Sequence, residues 1–360
     1  MKAPGLRWLV PLLATGLGLA LAEAALRILT PSAPQVELDI YRRDAAGNLR
    51  LLPYLDKRHV TPLWDVAVRT NEDGWRDDPG AAADLADSVL GLGDSFAFGW
   101  GVEESDSLYR RLEGELGARV LNAAVPGTGT SDQAQLLETV FDSQRPSWTL
   151  LALFVGNDFL DVEIGGAGRF EVEDGLLREP GGGPGPVRRA ALESRLLQLL
   201  RALQFRYGPA SAARVPHNWD SWMRAFAQVH RRDAPAELFE GMAAALDRIA
   251  AWCDGHDSKL VVVAVPRSWQ IDDAELDAML RGLAMDRSEL DLDRPQRFLQ
   301  DWGLRRNIAV IDLLPAFRAA VAADPSLRLF YTPDSHWTPQ GHALAARTAA
   351  QELTAVEARR

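Results

Sequence analysis

A single cysteine, Cys253, stands in 360 residues, which excludes an intrachain disulfide and leaves the redox compartment unreadable. Inside an apolar helical pattern, such a thiol reads as a small core residue. Basic charge is also in short supply: 39 Lys and Arg against 50 Asp and Glu leave a formal net charge of -11. With a pI near 5.1 and no basic stripe to offset it, the chain is not suited to a nucleic-acid partner. No His/Cys/Asp cluster has metal-ligand spacing, and no internal repeat is found. What is present is apolar: 47% of the residues are hydrophobic, enough to bury a sizeable core.

Residues 1–29 read as a targeting segment, with Lys2 and Arg7 before the uncharged stretch Trp8 to Ala22. Fifteen residues at about 1.5 Å each fall short of a bilayer core of roughly 30 Å, unless the helix continues through Glu23 and Arg27 to Leu29. An uncleaved membrane anchor is the favoured reading. Ala20-Leu21-Ala22 also fits a small-x-small cleavage site, so a removed signal peptide is the alternative. Residues 30–87, broken by Pro31, Pro34, Pro53 and Pro62, are expected as an extended lead-in over the outside of the main domain. Within them Thr70 to Arg76 reads as a turn followed by an aromatic anchor, Trp75.

From residue 88 the pattern alternates strand and helix. Strands are expected at Ser88–Leu92, Arg119–Ala124, Thr149–Val155, Lys259–Val265 and Ile308–Leu313. Between them lie helical patterns at Asp106–Leu116 and Ser131–Asp142. Another runs to Gly255 from Asp233 as N-cap, and a further one follows Pro295 and stops at Gly303. Strands separated by helices give a parallel sheet covered on both faces. The expected architecture is therefore a three-layer α/β/α sandwich around a five-stranded parallel, flavodoxin-like sheet, occupying 88–357 and preceded by a hydrophobic N-terminal helix. An insertion at about 161–233 interrupts it. After its Gly181-Gly182-Gly183-Pro184 breaker, Val187–Tyr207 reads as an amphipathic helix with Leu196, Leu197, Leu199, Leu200 and Leu203 on one side. This helix is expected either as a cap over the carboxyl edge of the sheet or as a surface excursion with its own small core.

The first strand ends in Gly93-Asp94-Ser95, and the carboxyl ends of strands are where open α/β sheets carry their chemistry. Ser95 is the candidate nucleophile; the bland alternative is that Asp94 and Ser95 merely cap the next turn. A serine that attacks an ester needs a base, a group to orient it, and donors for the oxyanion. His336, in Thr332-Pro333-Asp334-Ser335-His336-Trp337-Thr338-Pro339, has a carboxylate two residues away and a helix start, Thr338 with Pro339, just after it. His59, His217, His230, His256 and His342 have no comparable pairing. For the oxyanion, Gly127 can bring a backbone N–H close to a bound group, and Asn157 can point a side-chain amide. Each has a plain alternative, a turn glycine and an Asx turn.

In this order, Gly93-Asp94-Ser95, Gly127, Gly156-Asn157-Asp158 and Asp334-x-His336 resemble the SGNH, or GDSL, hydrolase family, over about residues 88–350. The resemblance implies Ser95 as nucleophile and His336 as general base oriented by Asp334. It also implies an oxyanion hole from the Ser95 and Gly127 backbone N–H groups with the Asn157 side chain. The family's commoner pattern sets the acid three residues before the histidine, where this chain has Pro333. An acid two before, followed by Trp337, looks like the variant of alginate and related polysaccharide O-acetylation proteins. The implied function is an extracytoplasmic, membrane-anchored serine esterase, periplasmic or on the cell surface. It removes acyl groups, acetyl first among them, from a carbohydrate or envelope substrate, with no metal or organic cofactor needed. The alternatives are an O-acyltransferase that passes the acyl group to a sugar, and an inactive polysaccharide-binding module. Trp337, Trp269, Trp219 and Trp222 offer a candidate platform for a sugar acceptor.

Overall fold

The computed structural model describes residues 6–29, 34–35, 37–82, 84–164, 167–178, 180, 185, 190–191, 194–207, 219–332 and 334–358. The central sheet is built from β1 (Val89–Gly93), β2 (Val120–Asn122), β3 (Trp148–Phe154), β4 (Lys259–Val265) and β5 (Ala309–Asp312). Its order is β5-β4-β3-β1-β2, and every pairing is parallel. The first strand lies between β2 and β3, giving the 2-1-3-4-5 order of a flavodoxin-like sheet. The strands are continuous apolar runs because both faces are covered: all five residues of β1 and six of seven in β3 and in β4 are buried. Burial of one such Leu or Val stabilises by roughly 1.5–3 kcal/mol, so a charge at Leu151 would disrupt the fold.

One layer of helices contains Leu108–Leu116 packed on Pro339–Ala358, with Leu314–Ala323 beside the latter. The other contains Thr130–Val140 and Asp158–Ile164 packed on Ala236–Gly255. There Trp302 of Arg294–Arg306 donates to Asp247 at 2.9 Å. The three-layer α/β/α architecture is thus present, with strand ends within one or two residues of those expected. Two helix boundaries differ by three residues. Asp233 does not cap the helix that begins at Ala236; its carboxylate is held by Arg231, and Pro235 occupies the cap. The helix after Pro295 does not stop at Gly303 but runs to Arg306, ending on Asn307 with φ +55°. Gly303 is where the helix backbone approaches Ile308 and Val310 of the next strand.

The lead-in is more folded than an extended strap. Tyr41–Arg43 pairs with Leu49–Leu51, and Asp56–Val60 lies between Pro34–Gln35 and Asp65–Arg69. Ile40, Leu49, Leu51 and Trp75 enter the main core. Trp75 follows an Asx turn in which the Asn71 Oδ1 accepts from the N–H groups of Asp73 and Trp75. Cys253 is buried, and burial pushes its thiol up to about 12.

At the amino end, Leu6–Leu29 is one helix containing Pro11. Its stretch Val10–Leu29 is long and apolar enough to cross a membrane, and none of it is buried by the rest of the chain. Of the insertion, Val187 to Arg189 and most of the glycine-rich breaker lie outside the described residues. The described helix Arg195–Tyr207 does not sit as a cap over the sheet: its principal neighbours are the N-terminal helix and Pro34–Gln35. A second, small core lies between Trp219–Gln228 and Asp273–Leu283, around Met223, Trp269, Leu276 and Leu280.

Candidate active site

At the end of β1, Gly93 has φ +153°. A Cβ there would lie 2.7 Å from the Ala97 Cβ and 2.9 Å from the Ala152 carbonyl oxygen, so only glycine lets the strand turn into the short helix Ser95–Phe98. Asp94 is the N-cap and accepts from the Phe96 N–H at 2.9 Å. The bland role therefore exists, but it belongs to Asp94. The Ser95 Oγ instead meets His336. Burial raises Asp94 to about 6 against the opposing pull of the Phe96 N–H and His336.

His336 arrives on a loop folded by three hydrogen bonds. Tyr331 N–H donates to the His336 carbonyl at 2.8 Å, Ser335 N–H to the Tyr331 carbonyl at 2.6 Å, and Thr338 N–H to the Leu329 carbonyl at 3.0 Å. Ser335, between acid and base, has φ +73°, a left-handed conformation uncommon for a residue with a Cβ. That turn lets residues two apart face each other. The Asp334 Oδ1 accepts from the His336 Nδ1 at 2.5 Å and from its backbone N–H at 3.1 Å, while the His336 Nε2 lies 2.8 Å from the Ser95 Oγ. In the neutral tautomer this network assigns, Nδ1 carries the proton and Nε2 accepts the serine proton. Burial works to raise the Asp334 pKa, but the adjacent imidazole and its hydrogen bonds outweigh it and leave the carboxylate below its ordinary value. Thr338 caps the following helix at the Gly341 N–H, 3.3 Å away, as the sequence predicts. The Phe96 ring stacks obliquely on the imidazole, centroids 5.0 Å apart.

The loop after β2 is tied to the same sheet end: Val125 N–H donates to the Gly93 carbonyl at 3.0 Å. Within it Gly127 has φ +84°, and a Cβ would lie 2.9 Å from Leu177 of the insertion. Asn157 follows β3 and opens the helix Asp158–Ile164. Its Nδ2 donates to Asp161 at 2.6 Å. An amide nitrogen has two hydrogens, of which this bond uses one. Sequence reasoning missed Asp161, although an acid four residues beyond an asparagine on a helix is a readable signal. Asp161 is also paired with Arg169. Burial raises it to about 7 against the pull of Arg169 and Asn157. Beside it Asp158 accepts from the Phe154 N–H at 3.0 Å and is pushed well up by burial and by the charges of Asp94 and Asp161.

Arg76 was also missed. Buried, it donates to the Phe98, Gly99, Ala67 and Val102 carbonyls at 3.2, 2.6, 2.9 and 2.7 Å, clamping the chain that leaves the short helix Ser95–Phe98. No sequence pattern announces it. Arg267 is buried among Phe154, Phe226 and Trp269, its guanidinium 5.3, 4.5 and 4.4 Å from their ring centres.

The tryptophan platform is not supported. Trp337 and Trp269 are core residues, with Trp337 packed between Phe96 and Phe317. The side chains of Trp219 and Trp222 lie outside the described residues. Of the other histidines, burial lowers His230 to about 4 and His342 to about 3. His59 accepts from Trp64 at 3.1 Å, His256 bridges the Trp252 and Asp142 carbonyls, and His217 lies outside the described residues.

Residues 219–359 match the family described as ALGX, the SGNH hydrolase-like domain of the acetyltransferase AlgX, a stretch that includes Asp334 and His336. None of the curated protein sequences matches the chain. Solved structures with a similar arrangement include TesA, 12% identical over 73% of this chain and 95% of that one, TM-score 0.38. Another is LAE5, an alpha/beta hydrolase from the metagenome of Lake Arreo, 14% identical over 74% and 95%, TM-score 0.40. A third is a catalytic mutant of Axe2, an acetylxylan esterase from Geobacillus stearothermophilus, 14% identical over 75% and 94%, TM-score 0.39. At these scores the likenesses carry no argument, and the side-chain geometry stands on its own.

Proposed function

For a chain whose residues 219–359 match an SGNH hydrolase-like domain, we propose a serine esterase that cleaves O-acyl esters, acetyl esters first among them, on a carbohydrate or cell-envelope substrate. The observation that carries this reading is the relay from Ser95 through His336 to Asp334, with links of 2.8 and 2.5 Å. The Ser95 Oγ attacks the acyl carbonyl as its proton passes to the His336 Nε2. The resulting oxyanion is held by the N–H groups of Ser95 and Gly127 and by the Asn157 amide. Collapse breaks the acyl C–O bond, His336 protonates the departing sugar oxygen, and an acyl-serine remains. Water then gives a proton to His336 and attacks the acyl carbon; Ser95 leaves and takes that proton back.

A second reading, O-acyl transfer, uses the same acyl-serine with a sugar hydroxyl in place of water. It is favoured by the acetyltransferase description of the matching family. Hydrolysis stays first because the tryptophans expected to hold an acceptor are buried at 269 and 337. The helix Leu6–Leu29 is proposed as a membrane anchor, with Lys2 and Arg7 on the cytoplasmic side and the catalytic body outside.

The test is an activity-based serine-hydrolase probe on the purified protein, followed by turnover of a model acetyl ester. Labelling at Ser95 is expected, and Ser95→Ala or His336→Ala should lower turnover by about 10⁴ or more. Near-normal turnover in Ser95→Ala overturns the mechanism, and absence of labelling supports an inactive binding module. With oligosaccharide present, free acetate as the main product supports hydrolysis. Acyl label found mostly on the oligosaccharide supports transfer.

A further inference from the structure

The N-terminal helix and the insertion helix meet at one carboxylate. Glu23 accepts from the Ser194 hydroxyl at 2.9 Å and from the backbone N–H groups of Arg195 and Leu196 at 3.0 and 2.9 Å. These last two belong to the open first turn of the helix Arg195–Tyr207, where a negative group is favoured. Arg27 donates to the same carboxylate at 2.7 Å. Glu23 stands six residues before Leu29, so the contact lies about 9 Å from the end of the apolar span, near the boundary of a bilayer that the span would cross. Only Ala22, Glu23 and Leu26 of the span are partly covered.

The docked helix leaves Leu197, Leu200 and Leu203 at 41, 51 and 43% exposure, and their spacing sets them on one stripe. Its sequence holds three arginines, Arg195, Arg201 and Arg206, and no Asp or Glu, in a chain whose net charge is -11. Apolar stripe, basic composition and a low-lying amino end are the signature of a helix that rests in a membrane interface. Leu21, Ile28 and Leu29 on the span are exposed as well.

We infer that Arg195–Tyr207 is an interfacial membrane helix: Glu23 docks it against the anchor, its leucine stripe enters the lipid, and Arg195 and Arg201 meet anionic headgroups. This rests on the proposed anchoring of Leu6–Leu29. The insertion then serves to fix the height and tilt of the catalytic body above the bilayer, which a single spanning helix leaves free.

The experiment uses the full chain in vesicles of phosphatidylcholine and phosphatidylglycerol carrying nitroxide-labelled lipids. Because Cys253 is buried, an environment-sensitive fluorophore can be attached selectively at Leu200→Cys, at Leu17→Cys in the span, or at Leu304→Cys, a site 80% exposed on the catalytic body. Quenching at 200 by nitroxides near the headgroup, quenching at 17 by nitroxides near the chain ends, and none at 304 is the expected result. Adding Glu23→Ala should reduce the quenching at 200 by about twofold or more while leaving that at 17, as expected for loss of a docking contact. Quenching at 17 with none at 200 overturns the inference, whether the probe at 200 reports water or a covering protein surface. Absence of quenching at both sites overturns the anchoring as well, and so separates the two failures.

Discussion

The side-chain amide of Asn157 is anchored to the carboxylate of Asp161 at 2.6 Å, one helical turn away, and Asp161 is in turn paired with Arg169 of the insertion. The amide proposed to receive the oxyanion is therefore held from behind. Asn157→Ala should lower ester turnover by roughly 10² to 10³ while leaving Ser95 able to react with a probe. Asp161→Ala should have a smaller effect of the same kind, about tenfold, because it loosens the donor without removing it. Steady-state kinetics with parallel probe labelling checks both. Equal turnover in all three proteins would make Asn157 a turn residue only.

Asp334 holds the imidazole in the tautomer whose Nε2 accepts from the Ser95 hydroxyl. Asp334→Asn should reduce kcat by up to about 10⁴ through the wrong tautomer, with little change in thermal stability. A silent substitution in the same assay would point to another acid.

Ser335 has a left-handed backbone, with φ +73°, at the turn that brings acid and base together. Ser335→Gly should keep turnover within a few-fold. Ser335→Val places a β-branched residue where it costs about 1–3 kcal/mol and should lower kcat by about tenfold. The comparison of the two variants is the measurement: if both behave alike, the turn geometry does not govern the base.

Arg76 satisfies four carbonyl groups around the segment that follows the nucleophile. Arg76→Met leaves those acceptors without their donor and should destabilise by about 3 kcal/mol. Urea unfolding would show a lower midpoint at an unchanged m-value.

His342 is buried with neither ring nitrogen bonded. Burial first, then the positive charge of Arg76, lowers its pKa from 6.5 to about 3. Its unfolded form takes up a proton below pH 6.5 that the folded form refuses. Stability from this residue is therefore complete above about pH 6.5 and declines towards pH 3, at up to about 1.4 kcal/mol per unit. His342→Leu should remove that part of the acid loss, so that the unfolding midpoints of the two proteins diverge on acidification. Parallel declines would show that the histidine is protonated in the folded state.

The sheet was legible because its strands are apolar runs closed by Gly and Asn: β4 is read at its true bounds, and β1 and β3 each shift by one residue. Ser95, Asp334 and His336 stand out because each follows a strand end or precedes a helix cap, and the structure brings them within hydrogen-bond reach. Features made by long-range contact were not legible. The carbonyls that Arg76 meets come from the strand residue Ala67 and from the segment 98–102, 9 to 26 residues away, and the partner of the insertion helix is more than 170 residues earlier in the chain. Tryptophan is ambiguous in sequence because the same ring serves a core and a sugar face; burial decided for the core at 269 and 337.

Ser95 and His336 are 241 residues apart in the chain, with four of the five central strands completed between them or after Ser95. A separation of this size makes the pairing a late event in folding, since loop closure must be met before the contact forms. During synthesis the nucleophile emerges early and stays without its base until the carboxyl-terminal loop docks. If Ser95 and His336 act as proposed, a chain that lacks the loop carrying His336 is silent toward esters. On the proposed mechanism, activity is therefore a report on completed folding of the catalytic body.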